Sequence, residues 1–382
     1  MSRSVIIIGG GISGAAAAWE LARHGVSVTL LERGDLAAMA SGWTLAGVRQ
    51  SGRHPAELPL ARAAVRRWEL LAEELGHDIE YRQHGNLRLA LTPQDVSAIK
   101  KVVVDATSAG IPTTWLDGAE AVHEVAPALT SDLVGASFCP TDGHANPRLT
   151  VLAFAEAAKR AGAEIRTGVQ VVGIETDGRR VTGVKTALET IPAERVIVAA
   201  GIYSPRLLDP LGIHIPFNIV VVPGIQTEVV KPMLDQVLGI PSGGFAGRQR
   251  ADGRFRITGS SIPWAATEHN DDNVMPTLFQ VGKVVAWSTR LIPALANIRA
   301  TRIWGGLIDK TPDALPVIEA TPEIDGLIVA AGFSGHGFCL GPVTGEILAD
   351  LAIEGVTRHP IAPFARARLD GIRETEAVRL HG

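Results

Sequence analysis

The sequence predicts an α/β chain, a parallel sheet covered by helices, into which a mixed α+β domain is inserted twice. Three observations predict it. The chain opens on a buried β-branched run, Val5-Ile6-Ile7-Ile8, which breaks into Gly9-x-Gly11-x-x-Gly14 and continues as an alanine-rich segment over residues 15–23. A second apolar run, residues 26–31, ends on Glu32. Helix and strand patterns then alternate over residues 148–201 and again over 327–354, while residues 217–304 alternate like antiparallel strands.

Each piece of the opening has a mechanical reason. Gly9 allows the tight turn, Gly11 lets a pyrophosphate approach the backbone, and Gly14 lets helix and strand pack closely. The helix that follows, opening near Ile12 and Ser13, offers unpaired N–H groups and a positive dipole end to that pyrophosphate. Glu32 lies 18 residues beyond Gly14, the spacing at which an acid takes the ribose hydroxyls, and Arg33 follows it. Triplet, preceding strand, following helix and terminal acid together predict a Rossmann-like domain that binds an adenine dinucleotide.

Composition narrows the class. The 382 residues suffice for two domains, and 46% hydrophobic with 20% charged residues describes a globular protein. A formal net charge of −4 argues against a nucleic-acid or anionic-membrane surface. Cys139 and Cys339, the two cysteines, make neither a disulfide framework nor a metal cluster and fit a reducing cytoplasm. The opening apolar run breaks at Gly9 and is too short to span a bilayer. The expectation is a soluble, cytoplasmic protein with no membrane span and no nucleic-acid partner.

Taken in order, residues 41–49 form a small-residue segment in which Ser41 and Gly42 allow close backbone approach to a ligand. Residues 58–76 have helical period through Leu60, Ala64, Trp68, Leu71 and Leu75. Residues 85–91 alternate like a strand, and Thr92-Pro93 opens a helix over 94–109. The turn cluster at 142–147 returns the chain to α/β texture: a helix over 148–161, strands near 169–172 and 195–200, and Ala199-Ala200-Gly201. A helix over 275–291 interrupts the alternating region, and a last helix is expected over 343–354, with Pro342 at its first turn. The reading is three pieces of a dinucleotide domain (1–82, 143–216 and 313–382) with a substrate-binding domain inserted as 83–142 and 217–312.

Two segments favour FAD over NAD. One is the strand pair around Val171 followed by Ala200-Gly201; the other is a second glycine-rich loop, Gly332-Phe333-Ser334-Gly335-His336-Gly337-Phe338. An extended FAD needs such a loop at its flavin end. A helix end there stabilises negative charge on the reduced ring.

The opening fingerprint, the Ser41-Gly42 segment and the second loop together resemble the D-amino-acid oxidase superfamily of FAD-dependent oxidoreductases. Within it the chain is most similar to sarcosine oxidase and the β-type subunits of heteromeric sarcosine, proline and opine oxidases or dehydrogenases. The resemblance covers nearly the whole chain and is weakest over 217–304. It implies oxidation of a C–N bond beside a carboxylate, with hydride passing to flavin N5 and the substrate held between flavin and inserted domain. It also implies a role for Arg49, at the position of the family arginine that meets the substrate carboxylate; a guanidinium fork suits that group.

Departures from the pattern carry expectations of their own. In monomeric sarcosine oxidase a lysine follows the Gly-His-Gly-Phe run; here Cys339 stands there, and loss of a cation beside the flavin favours a dehydrogenase over an O2-using oxidase. The cysteine that carries covalent flavin in that enzyme aligns near Gly306, so no attachment is expected at that position. Ile308 replaces the carboxylate-binding arginine of the glycine-oxidase branch. Ser261 aligns with an active-site histidine, Arg248, Arg250, Trp264 and His269 are candidate pocket residues, and Asp313 is expected to be structural. His336 is expected to act through its backbone more than its ring. The predicted function is a dehydrogenase or β-type catalytic subunit, with partner subunits or another electron acceptor. A stand-alone oxidase is the alternative. An NAD-dependent dehydrogenase would be colourless, and a non-catalytic flavin-binding subunit would not be bleached by substrate.

Overall fold

A computed structural model describes residues 4–241, 244–264 and 274–372. Its first sheet has six strands in the order Val317–Ala320, Leu327–Ala331, Arg195–Val198, Ser4–Ile8, Ser27–Glu32 and Glu164–Thr167. All neighbours run parallel except Val317–Ala320, which is antiparallel to Leu327–Ala331. The central strands read as unbroken apolar runs because both faces are covered. Ile7 belongs to the layer under the helices, whereas Ile6 and Ile8 face the second layer, which includes the three-stranded antiparallel sheet from Val171 to Pro192.

Helices Ile12–Arg23, Pro147–Arg160 and Gly337–Ile353 cover one face. The first and last cross at near-contact distance because small residues meet there: a Cβ at Gly345 would stand 2.5 Å from the Ala16 Cβ. The last helix corrects the sequence reading. It begins at Gly337, not Val343, and Pro342 lies inside it. Pro342 is only the sixth residue of the helix, so its missing N–H costs one bond near the end. The apolar burial of Leu340, Val343 and Ile347 against the first helix holds that turn. The helix expected over 275–291 instead begins later than expected, at Leu278, where Thr277 and Gln280 form a reciprocal cap.

The second large sheet has nine strands: Ile262–Pro263, Asn218–Val229, Arg254–Gly259, Phe245–Gln249, Val237–Ile240, Asn86–Ala90, Gly135–Cys139 and Thr114–Asp117 in order, with Ala300–Lys310 also paired to Asn218–Val229. Register decides its faces. Leu87, Leu89, Leu238, Phe245, Phe255 and Ile257 point into one apolar core. Alternation therefore turns Arg88, Gly239, Ala246, Arg248, Arg256 and Thr258 to the opposite face. A two-stranded ribbon, Gly47–Val48 with Gly143–His144, ties the polypeptide of residues 41–53 to the connection between the sheets. Among the described residues no helix is long and apolar enough to cross a membrane.

Candidate active site

The first glycine turn fits its expected geometry. Gly9 has φ +115°, and a Cβ at Gly14 would stand 2.0 Å from the Gly9 carbonyl oxygen, so helix and turn cannot separate for a side chain. Gly11 caps the helix without a side-chain hydrogen bond, and its first turn carries no acid. Ser41 Oγ accepts the Ile12 N–H at 3.0 Å. Glu32 accepts from Gly10 N–H (2.7 Å) and Gly34 N–H (2.8 Å), so the acid both braces the turn and faces the groove. One cleft of about 290 Å³ runs past Gly9, Gly11, Glu32, Arg33, Ser41 and Val171 to Ala200 and Gly201, ending at Leu307 and Asp309. Arg33 is fixed over the Tyr203 ring at 4.0 Å. Ile12, Ser13, Gly14 and Gly42 shape the turn from behind; a Cβ at Gly42 would stand 2.0 Å from the Ala37 carbonyl oxygen.

Asp309 joins this cleft to the second glycine loop. Its carboxylate accepts the Gly332 N–H at 2.8 Å, and its carbonyl accepts the Ser334 N–H at 3.1 Å. Burial pushes the Asp309 carboxyl up to about 6. Gly335 packs toward Ile308. Gly306 adjoins Leu307, and a Cβ there would meet the Val222 carbonyl oxygen at 3.8 Å and the Trp43 Cβ at 4.0 Å. Gly337 opens the last helix, whose first turn also lacks acids. The Phe338 side chain does not face the cleft. It is buried against Trp68, with ring centroids 5.0 Å apart, because the helical start at Gly337 turns it into the core.

Behind the second loop is a buried charged cluster. The backbone N–H of Arg49 points at Cys339 Sγ (3.3 Å), and the Cys339 thiol donates to the Arg49 carbonyl (3.5 Å). The Arg49 guanidinium donates to the Ser51 carbonyl. Burial, then Arg88 and Arg53, hold the Arg49 pKa well below its ordinary value, and burial raises that of Cys339, so its thiol stays protonated. Asp142 accepts Gln50 N–H (2.8 Å) on one oxygen and Ser51 O–H (2.5 Å) on the other. Arg53 donates through Nε to the Arg49 carbonyl (3.0 Å) and lies 3.6 Å from Glu57. Glu57 in turn stands 3.0 Å from His336 Nδ1. Burial alone would raise the Glu57 pKa, but His336 and Arg53 outweigh it and hold it at about 2.

This cluster corrects the reading of His336: its ring is buried and bound to Glu57, tying the second loop to the helix that starts at Leu58. Arg53, Glu57, Arg88 and Asp142 were missed. Their signal in the sequence was faint, a charged residue inside an otherwise apolar strand at Arg88 and an acid at a tight turn at Asp142. Ser261 lies in the turn between the strand ending at Gly259 and the one starting at Ile262, half-buried. Arg248 is a clamp between the sheets: it donates to the Leu45 and Ala145 carbonyls and lies 3.0 Å from His144 Nδ1. Arg250 bonds Gln226 and Asp252. The Trp264 backbone pairs with Ile219, and its ring packs beside Val221 and Leu307. His269 lies outside the described residues. Asp313 is held by Arg368 at 2.7 Å and by the Leu315 N–H, as a structural residue is. Among the described residues no cluster of His, Cys, Asp and Glu suits a metal ion.

Two glycine loops at two helix starts, the first lining the cleft and the second tied to it through Asp309, define an oxidoreductase built around an extended dinucleotide. The chain belongs to the DAO family of FAD-dependent oxidoreductases, whose description matches residues 4–351. It is 31% identical over 380 residues to a sarcosine oxidase subunit beta of Arthrobacter, covering 97% of this chain and 91% of that one. It is 29% identical to a glycine oxidase of Bacillus subtilis, covering 91% and 92%. Among solved structures, L-proline dehydrogenase from P. horikoshii superposes with a TM-score of 0.90 at 29% identity, covering 99% of both chains. The expected superfamily, α/β fold and FAD cofactor are thereby confirmed.

Proposed function

We propose that the chain oxidises the C–N bond of a small amino acid or secondary amine, with Arg49 holding the carboxylate beside that bond. The observation that carries this reading is the placement of Arg49. Its backbone is locked to Cys339 beside the second glycine loop, and its guanidinium sits in a buried cluster where three arginines meet two carboxylates. The pieces 1–82, 143–216 and 313–382 form the cofactor domain, and 83–142 with 217–312 form the substrate side. Bound FAD supplies the hydride acceptor.

The residues around it have separate tasks. The first glycine turn and the uncapped helix start at Gly11 receive the pyrophosphate, and Glu32 receives the ribose. The Asp309-braced loop receives the ring, and the start of the Gly337–Ile353 helix lends it positive potential. Arg49 fixes the substrate so that its C–N bond is presented in one orientation. The amine must be neutral at the moment of transfer, and the cationic surroundings favour that form. No strong general base is required.

The substrate class is sarcosine-, proline- or glycine-like, supported by the names of the relatives; Ile308 at the glycine-oxidase arginine position weighs against glycine. Cys339, a neutral thiol where a lysine stands in monomeric sarcosine oxidase, and the beta-subunit relative support a dehydrogenase or β-type subunit working with partner chains in the cytoplasm. The glycine oxidases among the relatives support a stand-alone oxidase. The test is an anaerobic titration of the purified flavoprotein with sarcosine, proline, glycine, D-alanine and an opine, followed by readmission of air. Bleaching with slow reoxidation supports the dehydrogenase, and fast reoxidation with full turnover of the chain alone supports the oxidase. A flavin that no amine bleaches refutes the proposal.

A further inference from the structure

Arg88 is a buried cation with the Asp142 carboxylate as an opposite charge and no hydrogen bond among the described residues to hold it. It lies mid-strand in Asn86–Ala90, its side chain turned to the face opposite Leu87 and Leu89, and it is only 7% exposed. Its guanidinium makes no hydrogen bond among the described residues, and its Nε is fully buried without a partner. It rests on the backbone at Gly52, three residues from Arg49: a Cβ at Gly52 would meet Arg88 Nη2 at 2.7 Å. Burial lowers its pKa to about 10, so it remains a cation at neutral pH. A buried guanidinium without hydrogen bonds is destabilising, and such a residue persists where something other than the ligand-free fold keeps it.

The charges around it say what is missing. Glu57 is paired in charge with Arg53 at 3.6 Å and His336 at 3.0 Å, although its Oε2 and Arg53 Nη1 make no hydrogen bond, and Asp142, whose carboxyl burial pushes up, accepts from Gln50 and Ser51 on its two oxygens. Cys339 is a neutral thiol, and His336 is held toward its neutral form by burial and by Arg53. With these groups ionised, three guanidiniums, Arg49, Arg53 and Arg88, face two carboxylates, Glu57 and Asp142, one negative charge short.

We propose that Arg88 and Arg49 together form a two-guanidinium site for a single carboxylate, the substrate's own, reached from the inserted sheet on one side and the 41–53 segment on the other. The inference rests on the proposed amine oxidation for the identity of the anion. It also narrows the substrate: one missing negative charge matches a monocarboxylic amino acid, and a dicarboxylic opine leaves its second carboxylate unneutralised here. Two positively charged forks, one from the nine-stranded sheet and one from the 41–53 segment, hold the carboxylate from two sides and keep water from the reacting bond.

The test uses the FAD-loaded protein with acetate as the probe and acetamide as the uncharged control, read by thermal melting and by perturbation of the flavin band. Acetate is expected to raise the wild-type melting temperature, and acetamide to leave it unchanged. Arg88→Met, which keeps the volume without the charge, is expected to melt at or above the wild-type temperature when ligand-free and to bind acetate about 10- to 100-fold more weakly. Arg88→Lys is expected to recover part of that loss. A ligand-free Arg88→Met protein that melts several degrees lower marks Arg88 as a structural residue and overturns the proposal, as does wild-type acetate affinity in that variant. If no amine bleaches the flavin but acetate binding still depends on Arg88, the anion site stands and the amine reading falls.

Discussion

Replacing Glu57 with Gln tests the charged cluster most directly, because the shape of the side chain is kept and only its charge is lost. The Glu57 side chain is fully buried, and its neighbour Arg53 is 3% exposed. In the fold the carboxyl titrates at about 2 against an ordinary 4.5. At about 1.4 kcal/mol per pH unit this corresponds to roughly 3 kcal/mol of stability. Removing one partner of a buried pair costs about 3–5 kcal/mol by an independent route, since Arg53 is left buried and uncompensated. The two agree. The sign follows from the folded carboxyl being the stronger acid: the contribution is complete above pH 4.5 and is lost as pH falls from 4.5 toward 2. Urea unfolding of the holoprotein, followed by flavin and tryptophan fluorescence, is therefore expected to show Glu57→Gln weaker by about 3 kcal/mol at pH 7. Thermal melting is expected to fall by roughly 5–10 °C. Between pH 4.5 and 3 the gap between variant and wild type is expected to narrow. A variant as stable as wild type at pH 7, or a gap independent of pH, refutes the claim that Glu57 is an ionised anchor for Arg53 and the His336 loop.

Three further outcomes follow from the same geometry. Charge-assisted hydrogen bonds contribute about 1.5–3 kcal/mol each, so Arg49→Gln is expected to weaken a carboxylate substrate about 10- to 150-fold in anaerobic flavin reduction while an uncharged amine is affected little. Equal losses for both would place Arg49 outside the substrate site. Gly14→Ala puts a Cβ 2.0 Å from the Gly9 carbonyl, and the purified variant is expected to carry little FAD by its absorbance ratio; full flavin content would contradict the close packing. Arg248→Met removes bonds to the Leu45 and Ala145 carbonyls and to His144, with about 2–4 kcal/mol of destabilisation expected in urea, and an unchanged midpoint would mean that those carbonyls find water instead.

What the sequence disclosed and what it hid divide along a physical line. The dinucleotide turn was legible because its constraints are local: Gly9, Gly14 and Glu32 lie within one strand–helix–strand unit, and each residue type answers a contact made inside that unit. The second loop was legible for the same reason, through Gly332, Gly335 and Gly337. The start of the last helix was misread because Pro342 is a strong local signal for a first turn, and here tertiary burial of Leu340 and Val343 against the first helix overrode it. The charged cluster was hidden because its members come from four places far apart in the chain, near residues 49–57, 88, 142 and 336–339. Arg88 looks like a polar residue on the outward face of a half-exposed strand, and period-two alternation cannot tell an outward face turned to water from one turned to a second sheet. That ambiguity is general for inserted domains: the face that alternation marks as polar is the face that closes on the cofactor domain, so its buried charges are where recognition is concentrated. Arg248, Arg256 and Arg88 stand on that one face and meet the 41–53 segment at Leu45, Gly42 and Gly52 respectively. Arg248 and Arg256 donate to main-chain carbonyls there, whereas Arg88 takes none among the described residues, which is why the proposed anion site is placed on it.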